Sequence, residues 1–206
     1  MGLSRWNFSP GKRAFDATTA AVVLTLSLPL MALIAIAIRV SAPGPVLFRQ
    51  RRVGKNGSLS EILKFRTMVH RSMLNKGTSI TRKGDSRVTG LGRWLRRSKL
   101  DELPQLYNVL RGDMSLVGPR PDLPEFYENL GAEKRQILAL QPGVTGWATL
   151  QFRDEEGHLA SIPEQDLTSY YVNTLFPAKV ELALDYARRA TFTGDLVIVL
   201  RTFIGS

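Results

Sequence analysis

The longest apolar stretch of the chain runs over Ala17–Ile38, 22 consecutive residues without a formal charge. This length suffices for a helix that crosses a bilayer, which needs about 20 apolar residues. Lys12 and Arg13 precede the stretch, and Arg39 follows it directly. Because basic flanks tend to stay in the cytoplasm, both ends of the segment are predicted to lie on the same side of a membrane.

Pro29 lies near the middle of this stretch, where it removes one helical hydrogen bond, and Ser27 can satisfy a freed carbonyl group. The sequence therefore predicts a re-entrant helix-break-helix over residues 11–40, with its membrane kink at Ser27 and Pro29. A single-pass anchor with a tolerated proline stays open as an alternative. A cleaved signal peptide is disfavoured because no small-residue cleavage site is found before Arg39.

Beyond the apolar stretch, short runs of strand-forming residues predict a β-hairpin. Residues 46–53 and 59–67 are typical of two strands, and residues 54–57, Gly-Lys-Asn-Gly, supply the turn between them. Lys64 and Arg66 stand two residues apart near the end of the second strand, so both are expected on one face. That face is either a solvated, charged edge or a surface that binds phosphate groups.

Apolar residues recur at helical spacing from Leu100 to Leu110, and Arg111 with Gly112 makes a plausible stop. The pattern predicts an amphipathic helix that opens on the acidic pair Asp101 and Glu102. The first interpretation is structural, with an N-cap, a first-turn charge and solvated arginines nearby. The second is an anion site, because a helix N-terminus attracts phosphate and upstream arginines strengthen that attraction. Those upstream arginines are Arg93, Arg96 and Arg97.

The composition of the chain limits the kinds of partner, metal site and catalytic group that it can have. The chain has 206 residues, the size of one domain, and carries a net charge of +10. Residues 1–120 have a net charge of +15 and residues 121–206 of −5, which indicates a polyanionic partner for the first part. The absence of cysteine excludes thiolate metal sites, and the presence of only two histidines, His70 and His158, argues against a Ser-His triad or a histidine metal site. Carboxylates remain as the expected catalytic groups.

A larger pattern adds to this picture. The run LDELPQLYNVLRGDMSLVGPRP at 100–121, with KFRTM at 64–68 and PGVTG at 142–146, resembles the bacterial sugar transferase family, the monotopic phosphoglycosyl transferases. The resemblance extends from Lys12 to about Asp185, and a match of this length is far more specific than a short motif. It implies one monotopic domain over residues 1–206, with a re-entrant membrane helix at 11–40 and a cytoplasmic catalytic part at 41–206. The implied fold class is α+β and mostly helical, with a short hairpin and amphipathic helices at the membrane interface.

The resemblance also implies an activity, which is transfer of a phosphosugar from a UDP-sugar to polyprenyl phosphate with release of UMP, through a covalent intermediate on Asp101. Glu102 is expected to bind metal or manage protons, and Mg²⁺ is the expected cofactor, held by Asp101 and Glu102. The expected location is the cytoplasmic face of the bacterial inner membrane, in contact with its lipid. The expected substrate-binding cations are Lys64, Arg66, Arg96, Arg120 and Arg153.

Several interpretations remain open on the sequence alone. Arg120 lies between two prolines that stiffen its backbone, so it suits either phosphate recognition or an ion pair with Asp113. Trp94 suits either the membrane interface or the core. A polar loop without periodicity is predicted over residues 70–90. The competing function is a non-enzymatic, membrane-tethered module that binds anionic lipid or nucleic acid; the enzyme interpretation predicts no nucleic-acid partner and leaves a homodimer open.

Overall fold

The structure is a computed structural model that describes residues 2–69, 80–128 and 130–204. Within these ranges the chain is mostly helical, with one antiparallel hairpin and one pair of short parallel strands. The predicted α+β class with helices dominant is thereby confirmed. The predicted polar loop at 70–90 falls partly outside the described residues, because its positions 70–79 are not among them.

The helices of the described ranges differ greatly in length, from four residues to 32. In chain order they are α1 Pro10–Ser41, α2 Gly90–Arg97, α3 Gln105–Arg111, α4 Pro124–Tyr127, α5 Trp147–Gln151, α6 Glu155–Ala160, α7 Leu167–Tyr170, α8 Phe176–Arg189 and α9 Phe192–Ile204. Shorter 3₁₀ turns lie at Arg5–Phe8, Lys55–Gly57, Leu100–Glu102 and Lys134–Ala139, and a π-helical turn lies at Tyr171–Leu175.

The strands form two separate two-stranded sheets. Strands β1, Leu47–Val53, and β2, Leu59–Phe65, pair antiparallel and confirm the predicted hairpin. Asn56 at its turn has a φ of 56°, in the left-handed region that asparagine tolerates better than most residues. Strands β3, Ser115–Val117, and β4, Gly143–Thr145, pair in parallel.

Helix α1 is, by length and composition, the one helix of the described ranges that could cross a membrane. It continues through Pro29 as one helix, and the re-entrant kink at Ser27 and Pro29 stays a prediction. A proline inside a helix removes one hydrogen bond and bends the axis, and the turns on both sides can hold the helix together. The Ser27 hydroxyl donates to the Leu24 carbonyl oxygen at 3.0 Å, one turn back along the helix.

Both ends of α1 pack against the folded body of the chain. Near the start, Ala20 is fully buried in the same apolar cluster as Val109 of α3. Near the end, Ile38 is buried in a cluster with Phe65 of β2. Ile34 is buried in this second cluster as well, whereas Leu26, Leu28 and Leu30 between the two contacts are exposed, Leu26 to 77%. The apolar run therefore touches protein at its two ends and leaves its middle uncovered.

Buried polar side chains fasten the start of α1 to the C-terminal helices. Lys12 Nζ donates to Asp195 Oδ2 at 2.7 Å and lies 3.5 Å from Asp16 Oδ1. Asp195 also accepts from Trp6 Nε1 at 2.8 Å and from the Tyr186 hydroxyl at 2.6 Å, so both of its oxygens have partners. We call this group the N-terminal clamp: Trp6, Lys12, Asp16, Tyr186 and Asp195.

Helix α2 carries the basic cluster between the hairpin and the acidic pair. Thr89 caps its first turn by accepting from the Gly92 N–H. Leu95 is fully buried beside the end of α1, whereas Trp94 is 54% exposed. Trp94 is thus outside the core, which removes one of its two interpretations.

Candidate active site

The acidic pair lies in the 3₁₀ turn Leu100–Glu102, between α2 and α3. Lys99, just before the turn, has a φ of 58°, in the left-handed region. The prediction of one helix over 100–110 needs correction, because α3 begins only after Pro104, which has no N–H to carry helical hydrogen bonds across the boundary. The predicted end is confirmed, since Gly112 caps α3 with a φ of 88°.

Glu102 is held by two cations from distant parts of the chain. Lys64 of β2 donates to Glu102 Oε1 at 2.7 Å, and Arg120 donates to the same oxygen at 3.0 Å. Burial raises the pKa of Glu102, but Lys64 and Arg120 together outweigh burial and hold that pKa well below its usual range. Glu102 is therefore ionised at neutral pH. The alternative pairing of Arg120 with Asp113 is not observed; Asp113 pairs with Arg111.

Asp101 is also buried, yet its Oδ1 has no hydrogen-bond partner among the described residues. Burial raises the pKa of Asp101 above its ordinary value, and the opposing effect of Lys64 is smaller. Buried polar atoms nearly always have partners, so an exception indicates strain, a catalytic role or a missing ligand. Asp101 is thus a buried carboxylate with one oxygen that a ligand could bind.

Arg96 is fixed on two sides next to the acidic pair. Its Nε donates to the Thr67 hydroxyl at 2.9 Å, and its Nη1 donates to Glu156 Oε1 of α6. The charge of Arg96 lowers the pKa of Asp101, and the Arg96 carbonyl oxygen accepts from the Lys99 N–H at 3.2 Å, just before the acidic turn. Lys99 acts on Asp101 in the same direction. The structure therefore gathers the predicted Lys64, Arg96 and Arg120 around the acidic pair.

Two other predicted cations lie elsewhere. Arg66 follows the last residue of β2, so strand alternation does not place it beside Lys64. Its guanidinium donates to the backbone oxygens of Pro43 and Ala42, at 2.7 Å each, and thus binds the C-terminal end of α1. Arg153 donates to the Thr202 carbonyl oxygen of α9 at 2.8 Å. Neither is brought to the acidic pair by a described contact, and their substrate-binding role stays a prediction.

Asn108, which sequence reasoning missed, joins the active-site helix to the hairpin. The side chain is fully buried, its Oδ1 accepts from the Leu63 N–H at 3.0 Å, and its Nδ2 donates to the Glu61 carbonyl at 2.7 Å. It therefore satisfies the edge of β2 in place of a third strand. A polar residue between Tyr107 and Val109, in the middle of a helix whose other polar residues stand at its ends, was the available signal.

Two residues near the start of α1 connect it with α3 and the strand that follows. Arg13 donates to the carbonyl oxygens of Val109 and Leu110, where a helix C-terminus attracts cations. Asp16 Oδ1 accepts from the Leu116 N–H of β3 at 3.3 Å. Helix α1 thus contacts the chain on the C-terminal side of the acidic turn at two points.

The carboxylate pair can be tested for its fit to a hard cation. No cluster of three or more His, Cys, Asp or Glu side chains occurs in the described ranges, so a site built from protein alone is not found there. Mg²⁺, however, is commonly held by one or two carboxylates together with substrate phosphates. Asp101 Oδ1 fits this arrangement because it is buried and no described residue donates a hydrogen bond to it. Both ion pairs of Glu102 use Oε1, so the described contacts leave Oε2 for a cation.

Comparison with known proteins extends over almost the whole chain. The family model for bacterial sugar transferases matches residues 7–205. The "Undecaprenyl-phosphate glucose phosphotransferase" of Komagataeibacter xylinus is 40% identical over 97% of this chain and 36% of its own length. The "UDP-N-acetylgalactosamine-undecaprenyl-phosphate N-acetylgalactosaminephosphotransferase" of Aeromonas hydrophila is 42% identical over 93% of this chain and 42% of its own length.

A shorter relative gives a more even coverage. The "Exopolysaccharide production protein ExoY" of Rhizobium meliloti is 35% identical over 93% of this chain and 83% of its own length. The chain thus spans less than half of the first two relatives and most of the third.

Proposed function

Because this chain belongs to the bacterial sugar transferase family, we propose that it transfers a phosphosugar from a UDP-sugar to polyprenyl phosphate and releases UMP. The printed names of its relatives support this substrate class, since they specify undecaprenyl phosphate with glucose or N-acetylgalactosamine. The observation that carries the proposal within the chain is Asp101, a buried carboxylate with cations nearby, whose Oδ1 has no hydrogen-bond partner in the part of the chain that the structure describes.

In the first step, one carboxylate oxygen of Asp101 attacks the β-phosphorus of the UDP-sugar. A bond forms between that oxygen and phosphorus, and the bond from phosphorus to the bridging oxygen breaks. The electron pair stays on the bridging oxygen, which leaves as part of UMP. Carboxylates are established covalent acceptors in such displacements, and the positive groups around Asp101 offset the charge that develops on the leaving phosphate.

In the second step, an oxygen of polyprenyl phosphate attacks the phosphorus of the aspartyl phosphosugar. The acyl phosphate bond breaks, its electron pair returns to Asp101, and polyprenyl diphosphate sugar is formed. Glu102 does not take the nucleophile's part, because its carboxylate is fixed by Lys64 and Arg120. Its proposed roles are to hold the side chains of Lys64 and Arg120 in place and to bind a metal ion together with Asp101.

Mg²⁺ is the proposed cofactor, with Asp101 and Glu102 as its protein ligands. When bound, it would neutralise charge on the diphosphate as UMP leaves. Lys64, Arg96 and Arg120 are the proposed phosphate-binding side chains, because all three stand at the acidic pair.

The proposed location is the cytoplasmic face of the bacterial inner membrane, with α1 entering and leaving the lipid on one side. The support is that Ala20 and Ile38 both pack against the folded body, while Leu26 between them faces outward. A straight helix that crossed a hydrocarbon core of about 30 Å would carry one of these ends away from the body. Pro29, in the uncovered middle, is the proposed kink.

This topology can be tested in the cysteine-free background of the chain. Gly2 precedes α1 in the sequence, Ser58 follows it, and both are exposed. Single cysteines at these two positions should both resist an impermeant thiol reagent applied to sealed spheroplasts. Both should react once the membrane is permeabilised, which serves as the control. Labelling of either one from outside would show that α1 crosses the bilayer.

The reaction can be tested by measuring UMP release from a panel of UDP-sugars with undecaprenyl phosphate in detergent. At least one sugar should give turnover with ping-pong kinetics. With UDP-sugar alone, mass spectrometry should find a phosphosugar adduct at Asp101. Absence of UMP release across the panel contradicts the proposed activity. A requirement for a ternary complex, without an adduct, contradicts only the covalent step.

A further inference from the structure

The two anchors of Arg96 leave one of its nitrogens available. Nε is bound to the Thr67 hydroxyl and Nη1 to Glu156 Oε1, whereas Nη2 has no hydrogen-bond partner among the described residues. Both acceptors lie outside the acidic turn, since Thr67 is two residues beyond the end of β2 and Glu156 is on α6. The guanidinium is planar and rigid, so fixing two of its nitrogens also fixes the direction of the third.

The carboxylate that holds Arg96 is itself on a well-anchored turn. Glu155, its neighbour, accepts from the buried Lys179 Nζ at 2.9 Å. The backbone carbonyl of Glu156 accepts from the Lys83 N–H at 2.9 Å. Asp154 caps α6 by accepting from the Gly157 N–H at 3.2 Å. The first turn of α6 is therefore fixed from three directions, which suits an element that positions another side chain.

We propose that Glu156 is a positioning residue, which together with Thr67 orients Arg96 so that its Nη2 binds the diphosphate of the nucleotide substrate. This inference rests on the proposed function, because it takes the ligand at Asp101 to be a UDP-sugar. It adds a residue far along the chain to the site: Glu156 contacts Arg96 and no reacting atom. Preorganised orientation of this kind lowers the cost of binding, since the guanidinium does not have to be ordered by the ligand.

The opposite role for Glu156 would be an anionic plug that competes with the diphosphate for Arg96. A carboxylate that imitated a phosphate would take two guanidinium nitrogens together, which is the favoured fork geometry. Here Glu156 takes Nη1 alone, and a neutral hydroxyl takes Nε. The two roles predict changes of opposite sign when Glu156 is neutralised, because loss of a plug strengthens anion binding and loss of a positioning group weakens it.

The direct test is calorimetric binding of UDP in the presence of Mg²⁺ to the full chain in detergent. Glu156→Gln should weaken binding about tenfold, because the weaker acceptor lets Arg96 reorient. Glu156→Asp keeps the charge but shortens the reach, and it should weaken binding as well. Thr67→Val removes the second anchor and should act in the same direction. Glu164→Gln is the matched control, because Glu164 pairs with Arg82 at 2.9 Å on the exposed surface, and its substitution should leave binding unchanged.

A double-mutant cycle separates action through Arg96 from any other effect. In an Arg96→Ala background, Glu156→Gln should cause no further loss of UDP affinity. In turnover assays Glu156→Gln should raise KM for the UDP-sugar while KM for polyprenyl phosphate stays constant. Unchanged or tighter UDP binding by Glu156→Gln overturns the inference, as does an additive loss in the cycle. A wild-type chain that binds UDP but releases no UMP contradicts the proposed function, and the binding comparison still decides the role of Glu156.

Discussion

The N-terminal clamp and the acidic turn each bury a carboxylate among cations, but they satisfy it differently. In the clamp, Asp195 is 1% exposed and both oxygens accept hydrogen bonds, from Lys12 and Trp6 on one side and Tyr186 on the other. In the acidic turn, Asp101 is 6% exposed and its Oδ1 accepts none from the described residues. Burial and positive neighbours alone therefore do not distinguish a structural carboxylate from a chemical one.

The difference lies in the source of the hydrogen-bond donors, which are protein side chains at Asp195 and would be a ligand at Asp101. A buried ion pair with full satisfaction is costly to break, because removal of one partner leaves an uncompensated charge. An unsatisfied carboxylate already bears that cost in the folded state, and it is relieved only when a ligand arrives. The clamp should therefore respond to substitution mainly in stability, and the turn mainly in activity.

The largest expected effect is that of Asp101→Asn on turnover. The amide oxygen is a poor nucleophile, so UMP release should fall by at least about 1000-fold. Thermal unfolding should shift little or upward, because the substitution removes a buried, unsatisfied charge. Stopped turnover together with a marked loss of stability would contradict the contrast with the clamp.

Removal of divalent metal should abolish most turnover while leaving the clamp intact. EDTA should suppress UMP release, and excess Mg²⁺ should restore it, because a bound metal would offset the charge of the substrate phosphates at the acidic pair. The melting temperature of the ligand-free chain should be unaffected, since no described cluster of three metal-ligating side chains supports the fold. Activity that persists after exhaustive EDTA treatment rules out the metal requirement.

Asp195→Asn should act in the opposite way from Asp101→Asn. It leaves the buried Lys12 without its closest counter-charge, and breaking such a pair typically costs about 3–5 kcal/mol. Chemical denaturation in detergent should show this loss in the free energy of unfolding. Asp185→Asn, which breaks the exposed pair with Arg188, is the control and should be nearly neutral. Equal stability of the two variants would show that the clamp carries little of the fold.

The smallest expected effect is that of Arg66→Ala, which tests the relocation of a predicted substrate ligand. Its hydrogen bonds to the end of α1 predict a loss of about 1–3 kcal/mol in unfolding free energy. KM for the UDP-sugar should stay within about twofold of the unsubstituted chain, because Arg66 makes no described contact with the acidic pair. A large rise in KM with unchanged stability would return Arg66 to the substrate site.

The resemblance of several motifs predicted the family, and local spacing predicted the hairpin and the end of α3, because each of these two features depends on one segment. The positions of Arg66 and Arg153 depend on contacts with helices far away in sequence, at Ala42 and Thr202. Strand alternation could not settle Arg66, since β2 ends one residue earlier. The sequence also did not predict that Pro104 separates the acidic turn from α3, because proline is compatible with the first turn of a helix as well as with the residue just before the helix.

The contacts of Arg13 and Asp16 have a mechanical consequence. Arg13 binds the last carbonyl oxygens of α3, and Asp16 binds the backbone of β3 just beyond it. The start of α1 is therefore fixed in position relative to the chain that follows the acidic turn. In the proposed topology the depth of α1 in the lipid then sets the height of Asp101 above the hydrocarbon. Adding one residue to α1 just before Ala17 would rotate the apolar run by about 100° and shift it by about 1.5 Å along the helix axis relative to the site.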